Sequence, residues 1–233
     1  MQPQSLKPEY SISEEIGYRH QGNFYNFSMS LFNINLTNHQ VTSTGYIPNT
    51  NMMVASPINI GGQTSRGVQA EFGLARWHHF SPYLSGQFLH STFDNNFNTG
   101  SGYLPTAGKI AVQAPKFTGA IGLNYDDGRF FGNFDLRYVD TQYTTFMNDE
   151  QMPAYVTSNI TLGYRMKSFS YLKHPQIQLN LTNIGDNHYR SGSSYTANAH
   201  PHVTSTGAVA AGSAPVYYVG GVFAAMVSIS SGF

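Results

Sequence analysis

The 233-residue sequence contains no cysteine, little charge, a single tryptophan and no long apolar run. The absence of cysteine excludes a disulfide framework and any thiolate metal site. Charged residues make up 10% of the chain, against about 25% in ordinary soluble proteins. The 12 basic and 12 acidic residues balance, which argues against nucleic acid as a partner because nucleic acid requires a basic face. No stretch approaches the ~18 consecutive apolar residues of a membrane helix, and the first residues show no export signal.

The chain is rich in aromatic residues, with 16 Tyr and 16 Phe, and these alternate with small polar residues. Tyr25, Phe27, Met29 and Leu31 fall on one side of a period of two, and the serines and asparagine between them fall on the other. The same pattern recurs along the chain, so the fold class is predicted to be all-β. The alternation predicts nine strands, at 9–20, 23–38, 64–77, 82–95, 115–126, 129–140, 152–166, 175–183 and 217–233.

The lengths and the connections of these strands favour a membrane. Soluble strands peak at about 5–6 residues, whereas a tilted strand that crosses a bilayer needs about 9–11. Alternation alone fits either a soluble sandwich or a transmembrane β-barrel. Short connections, however, alternate with long ones, as the periplasmic turns and extracellular loops of an antiparallel barrel do. The predicted extracellular loops are about 39–63, 96–114, 141–151 and 184–216.

Several segments resemble the barrel region of the TonB-dependent outer-membrane receptors, and they occur in the order of that family. They are "LKPEYSISEEIGYRHQGNFYNFSMSLFNINLTN", with Glu15, Ile16, Gly17 and Tyr18; "TSRGVQAEFGL", with Arg66, Gly67 and Val68; "APKFTGAIGLNYDDGRFFGNFDLRYVDTQY"; and "IQLNLTNIGDNHY", with Asn183, Ile184, Asp186 and Tyr189. Gln69 replaces the usual Glu of the second motif, and Glu71 supplies an acid two residues later. The last strand, which ends in Phe233, resembles the recognition signal of the barrel assembly machinery.

The resemblance implies a 22-stranded barrel around an N-terminal plug, of which the nine strands here would be the last nine. It implies a place in the bacterial outer membrane and TonB-dependent uptake of a scarce nutrient, most often a ferric siderophore. The plug, through which the TonB complex would act, is not expected in this chain. Alone, nine strands would leave two open edges in lipid, which a bilayer does not tolerate. A passive porin, a small oligomeric barrel and a soluble all-β binding domain are the alternatives.

Candidate ligand contacts lie in the longest predicted loop and its edges, where imidazole and aromatic rings could meet a metal complex or a planar ligand. They are His188, Tyr189, Tyr195, His200 and His202. Exposed loop histidines without a ligand are the more common case. Tyr217 and Tyr218 are assigned to an aromatic girdle at the outer interface, and His78 and His79 to an anchoring turn beside Trp77.

Five charged residues are expected to point into the barrel, where they would face a plug or a solute or pair with one another: Arg66, Glu71, Asp135, Arg137 and Arg165. Glu14 alternates with Ile12 and Ile16, which would direct it towards lipid unless it lies near the rim or beside a β-bulge. No catalytic triad, phosphate loop or metal motif is present, so no enzyme activity, cofactor or metal is predicted.

Overall fold

The computed structural model describes residues 7–46, 53–169 and 171–232, and within them it consists of one large antiparallel sheet with small hairpins at one end. Nine long strands form the sheet, and each pairs with the next long strand along the chain. They are β1 (Tyr10–Gln21), β2 (Tyr25–Tyr46), β3 (Met53–Leu74), β4 (Phe80–Phe93), β7 (Phe117–Asp126), β8 (Phe130–Val139), β11 (Tyr155–Arg165), β12 (Lys173–Thr182) and β17 (Ala224–Gly232). The all-β prediction and the count of nine strands are confirmed. Among the described residues, no helix is long and apolar enough to cross a membrane.

Eight short strands form four two-stranded hairpins in the long connections. They are β5 (Phe97–Asn98), β6 (Tyr103–Leu104), β9 (Gln142–Tyr143), β10 (Gln151–Met152), β13 (Arg190–Ser193), β14 (His202–Val203), β15 (Val209–Ala210) and β16 (Tyr217–Val219). The pairs are β5–β6, β9–β10, β13–β16 and β14–β15. All of these hairpins lie at the end of the sheet opposite the short turns.

Two predicted boundaries are wrong. Most of the predicted loop 39–63 is strand, because β2 and β3 continue to pair as far as Tyr46 and Met53, with register shifts near His39. The apolar alternation stops there while the backbone pairing continues, so a pattern based on hydrophobicity ends the strands too early. The predicted strand 217–233 is two elements, β16 and β17, separated at Gly220 and Gly221. Phe233 and its predicted role lie outside the described residues.

The sheet has one apolar and one polar face, which the register defines because paired residues share a face. The apolar face carries Ile16, Leu31, Val68, Phe88, Ile121, Phe134, Leu162, Leu179 and Val227. The polar face carries Ser30, Gln69, Gln87, Asn124, Asn133, Thr161, Gln178 and Ser228.

Among the residues that the structure describes, none forms a second layer against the apolar face. Ile16 is 72% exposed, Leu162 56% and Ile229 75%, so the exposure runs from one side of the sheet to the other. Soluble monomers rarely expose apolar patches beyond a few hundred Å². A sandwich would bury this face, so the described fold does not support the soluble alternative.

Large rings on the polar face cover glycines of the neighbouring strand. Tyr83 pairs with Gly122 and Phe131 pairs with Gly163 across the ladder. A Cβ atom added to either glycine would overlap the ring opposite. These glycines are therefore required by close packing rather than by an unusual backbone angle.

The hydrophobic core lies among the connections rather than under the sheet. It consists of Val41 and Ile60 from the β2–β3 hairpin, Phe93 at the end of β4, Ala111 and Val112 from the β6–β7 connection, and Phe146 between β9 and β10. Phe146 is 1% exposed. The loops at this end therefore form a packed body, which we call the loop layer.

Candidate functional site

Phe146 is the central side chain of the loop layer, and aromatic rings from three other segments surround it. Its ring centroid lies 5.4 Å from that of Phe93, 5.1 Å from that of Phe97 and 6.5 Å from that of Tyr195. Tyr195, a predicted ligand contact, is thus half-buried against the core. Its ring supports the loop layer from within, and this packing limits the part of it that a ligand could reach.

Asp149 holds the last long loop to the β9–β10 hairpin. Its carboxylate accepts hydrogen bonds from the Thr145 hydroxyl at 2.6 Å, from the backbone N–H groups of Ala199 and His200 at 3.0 and 2.9 Å, and from His202 Nε2 at 2.9 Å. Burial raises the pKa of Asp149, but these hydrogen bonds outweigh burial, so the pKa lies below the ordinary 3.8. The ionised carboxylate of Asp149 therefore links two loops through hydrogen bonds.

A second contact between the same two regions involves Tyr217. Its hydroxyl donates a hydrogen bond to Glu150 Oε1 at 2.7 Å, and the guanidinium carbon of Arg190 lies 3.9 Å from its ring centroid. Burial, followed by the hydrogen bond to Glu150, raises the pKa of Tyr217. The predicted girdle position is wrong for Tyr217, because Glu150 and Arg190 hold its hydroxyl and its ring within the loop layer.

The other predicted contacts differ in their surroundings. The ring of Tyr189 stacks on Tyr155 with centroids 4.3 Å apart, and His188 is exposed. His200 has an exposed side chain and uses its backbone N–H to bind Asp149. His202 points its ring at Asp149. The five residues therefore share one loop, but their side chains do not converge on one point.

Within the described residues, no group of three or more His, Cys, Asp or Glu side chains is placed to hold a metal ion. His202 and Asp149 form a pair without a third such partner. The loop layer can therefore present rings and polar groups to a ligand from its surface.

Four of the five predicted wall charges share the polar face. Glu71 pairs with Ser85, Arg137 with Thr157, and Arg165 with Gln176. Asp135 accepts a hydrogen bond from Asn159 Nδ2 at 2.8 Å on the same face. These charges thus lie where a barrel would place its lumen.

Arg66 is the exception, and its predicted inward direction is wrong. It pairs with Asn33 and His90 and so shares the face of Val68. Its parity on the strand differs from that of Glu71, so the two cannot point the same way.

Glu14 pairs with Asn33 without a register shift and accepts a hydrogen bond from Asn33 Nδ2 at 3.1 Å. The β-bulge considered for Glu14 is therefore excluded, and a polar row crosses the apolar face just above its apolar band.

Arg165 forms a bidentate ion pair at the short-turn end of the polar face. Its two terminal nitrogens lie 2.8 and 3.0 Å from the carboxylate oxygens of Asp126. The guanidinium also lies over the ring of Phe131, with its central carbon 4.3 Å from the centroid. Phe131 in turn covers Gly163, so one cluster joins β7, β8 and β11.

The sequence drew attention to the histidines of the last loop but not to the residues that organise it. Phe146, Asp149, Glu150 and Arg190 each make contacts that hold this layer together. Several of their partners are about 50 to 70 residues away in the chain, as for Asp149 with His202 and Glu150 with Tyr217. No local motif encodes such contacts, so only the folded arrangement identifies them.

Comparison with known proteins defines the class to which this arrangement belongs. Residues 2–184 match the family described as TonB dependent receptor-like, beta-barrel. The chain belongs to this family, whose members are receptors and transporters rather than enzymes. No curated protein sequence matches the chain.

Solved structures of receptors share the fold. The ferric yersiniabactin uptake receptor FyuA from Yersinia pestis aligns with a TM-score of 0.67 at 17% identity, covering 97% of this chain and 30% of that one. The ferric citrate transporter FecA gives 0.64 at 18% identity, covering 94% and 30%. The copper transporter OprC gives 0.66 at 13%, covering 97% and 32%. The chain thus spans about a third of the length of these proteins, and identities this low establish the fold alone.

Proposed function

We propose that this chain forms nine adjacent wall strands and the attached outer loops of a TonB-dependent receptor in the bacterial outer membrane. The apolar face carries this proposal. It is exposed across all nine strands, it is bordered by short turns at one end, and it is bordered by a folded loop layer at the other. A lipid bilayer would cover that face, and the polar face would line the lumen.

The direction of the edge strands favours completion by further strands of the same receptor. In the described sheet β1 and β17 are the first and ninth of an antiparallel series, so they run in the same direction. A second copy rotated about the barrel axis would place β17 beside a parallel β1. An odd number of additional strands restores antiparallel closure, and the thirteen that would complete a 22-stranded, plugged barrel fit this requirement. We place the chain at the C-terminal end of such a barrel.

The proposed cargo is a scarce metal complex, with a ferric siderophore as the leading candidate. Two of the structures named above belong to proteins described by ferric ligands, and a third belongs to a copper transporter. In the loop layer, His188 and His200 have exposed side chains, whereas His202 is held by Asp149 and Tyr195 packs on the core. We therefore assign direct contact with cargo to His188 and His200, and support of the loop to Tyr189, Tyr195 and His202.

The other proposed partners follow from the two faces and the last strand. The polar-face residues Glu71, Asp135, Arg137 and Arg165 would face the plug, through which the TonB complex acts. Phe233 and the strand β17 before it would be the segment that the barrel assembly machinery recognises.

The test is uptake by cells that carry the intact receptor. Deletion of the gene should abolish energy-dependent uptake of an ⁵⁵Fe-labelled siderophore under iron restriction, and a protonophore should abolish it in the parent strain. Uptake that survives the protonophore would indicate a passive porin instead. The double variant His188→Ala/His200→Ala should weaken siderophore binding to whole cells.

A matched control is the double variant His78→Ala/His79→Ala, which makes the same chemical change at the short-turn end. It should bind like the parent. Equal affinity in both double variants would remove His188 and His200 from the site while leaving the transport proposal intact.

A further inference from the structure

The short-turn end of the sheet carries a cluster of cations, which we call the short-turn rim. It comprises the connections 75–79, 127–129 and 166–169 and the first residue of β12. Its cations are Arg76, Arg129, Lys167 and Lys173. Among the described residues, no carboxylate lies within ion-pair distance of any of the four.

The two acids at this end are already satisfied. Asp126 is taken by the bidentate pair with Arg165 on the polar face. Asp127 accepts hydrogen bonds from the backbone N–H groups of Arg129 and Phe130, at 2.8 and 2.6 Å, and from the hydroxyl of Tyr125 at 3.1 Å. The side-chain cations of the rim are therefore left without a carboxylate partner among the described residues.

Two of the cations, Arg76 and Arg129, lie near half-buried aromatic rings on the apolar face. The guanidinium carbon of Arg129 lies 5.7 Å from the ring centroid of Tyr164, which in turn lies 4.9 Å from that of Phe130. Arg76 Nη2 lies 3.2 Å from His79 Nδ1, and the ring of His79 packs against Tyr125. Both arginines thus stand at the lower border of the apolar band, beside the surface that lipid would cover.

We infer that the short-turn rim binds the headgroup phosphate of an anionic phospholipid, such as phosphatidylglycerol, in the leaflet that the short turns contact. This inference rests on the proposed function, because it requires the apolar face to be in a bilayer. Cations beside a membrane surface attract anionic lipids, and aromatic rings favour the headgroup level. A soluble anion would use the cations but would leave the rings and the apolar band without a role.

Trp77 provides the measurement, because it is the only tryptophan in the chain and is 71% exposed within the rim. The intact receptor, with every tryptophan other than Trp77 replaced by phenylalanine, is placed in phosphatidylcholine bilayers that contain a small, equal fraction of either brominated phosphatidylglycerol or brominated phosphatidylcholine. Bromine quenches tryptophan fluorescence on contact. The expected result is a preference of about fivefold or more for the anionic lipid, since each nearby cation contributes on the order of that factor. High salt should reduce the preference.

Arg76→Gln combined with Arg129→Gln should lower the ratio of the two quenching constants to near one. Lys109→Gln combined with Lys116→Gln removes the same charge at the loop-bearing end and should leave the ratio unchanged. Because the readout is a ratio between two lipids, a change in the intrinsic emission of Trp77 cancels.

The outcomes separate the two proposals. Equal quenching by both lipids in the parent chain would overturn the headgroup site while supporting a membrane location. A preference that survives the arginine substitutions, or that soluble glycerophosphoglycerol abolishes, would also overturn it. Quenching by neither lipid would contradict the membrane location itself, and the headgroup site with it.

Discussion

His202 Nε2 lies 2.9 Å from a carboxylate oxygen of Asp149, and this contact joins two loops across 53 residues of sequence. His202 was a predicted ligand contact, whereas Asp149 had no predicted role. The pair shows that part of the chemistry expected at the cargo surface is used to hold the loops together.

The first prediction concerns the pH dependence of this contact. The pKa of Asp149 is lowered on folding, so its stabilisation is complete above the ordinary carboxyl pKa of 3.8 and is lost as the pH falls below that value. The protection factors of the backbone N–H groups at Ala199 and His200, which are corrected for the intrinsic pH dependence of exchange, should fall as the pH is lowered from 5 to 3. Asp149→Asn should show fast exchange already at pH 7. Equal protection in the parent and the variant would show that Asp149 does not stabilise the link between the two loops.

The second prediction concerns the core of the loop layer. Phe146→Ala should destabilise that layer by about 3–5 kcal/mol, because it removes a fully buried ring that three aromatic side chains contact. Limited proteolysis should then cut segments 142–152 and 193–199 faster, while the strands of the sheet stay resistant. Tyr103→Ala, which removes an exposed ring from the same layer, should leave the cutting rate nearly unchanged.

The third prediction concerns glycines under aromatic rings. Gly122→Ala and Gly163→Ala should each destabilise the folded protein by about 1–3 kcal/mol, since the new methyl group must displace the ring of Tyr83 or Phe131. Gly73→Ala is the control, because a Cβ there meets no atom within 4 Å. The midpoints of urea unfolding would measure the difference. A midpoint for Gly122→Ala that matches the control would show that the Tyr83 ring moves without cost.

The fourth prediction separates two adjacent tyrosines. Tyr217→Phe removes the hydroxyl that binds Glu150 and should destabilise the loop layer by about 0.5–1.5 kcal/mol. Tyr218→Phe makes the same change on a side chain that is 58% exposed and should have little effect. Exchange rates of the backbone N–H groups in residues 142–152 would report the difference. Similar rates in both variants would exclude a stabilising role for the Tyr217 hydroxyl.

The sheet was largely predictable because its information is local. Two-residue alternation within each segment indicates a membrane-length strand, and "DDG" at 126–128 indicates a tight turn without any distant partner. The long β2–β3 hairpin was not predictable in full, because alternation of hydrophobic residues fades at residues 39–63 although pairing continues. The direction of Arg66 could also be predicted, since its odd separation of five residues from Glu71 puts the two side chains on opposite faces of the strand.

The loop layer was not predictable for the opposite reason. Val41 and Phe146 come from segments that look polar and irregular in sequence, whereas Phe93 lies in a predicted strand. The three meet only after the sheet has brought its connections together. Glu150 and Tyr217 are 67 residues apart, so no spacing rule relates them. The histidines stood out by their chemistry, but chemistry alone could not distinguish His202, which is bound, from His200, which is exposed.

The shared core of the loop layer limits how such a receptor can diversify. A loop that supplies a core residue cannot change shape without disturbing its neighbours. Substitutions should therefore accumulate only at positions whose side chains do not pack in the core. The hairpin β14–β15, with Val203 and Val209 both exposed, is such a place. Among relatives, new specificity is then expected to arise at a few tips while the body that carries them keeps its form.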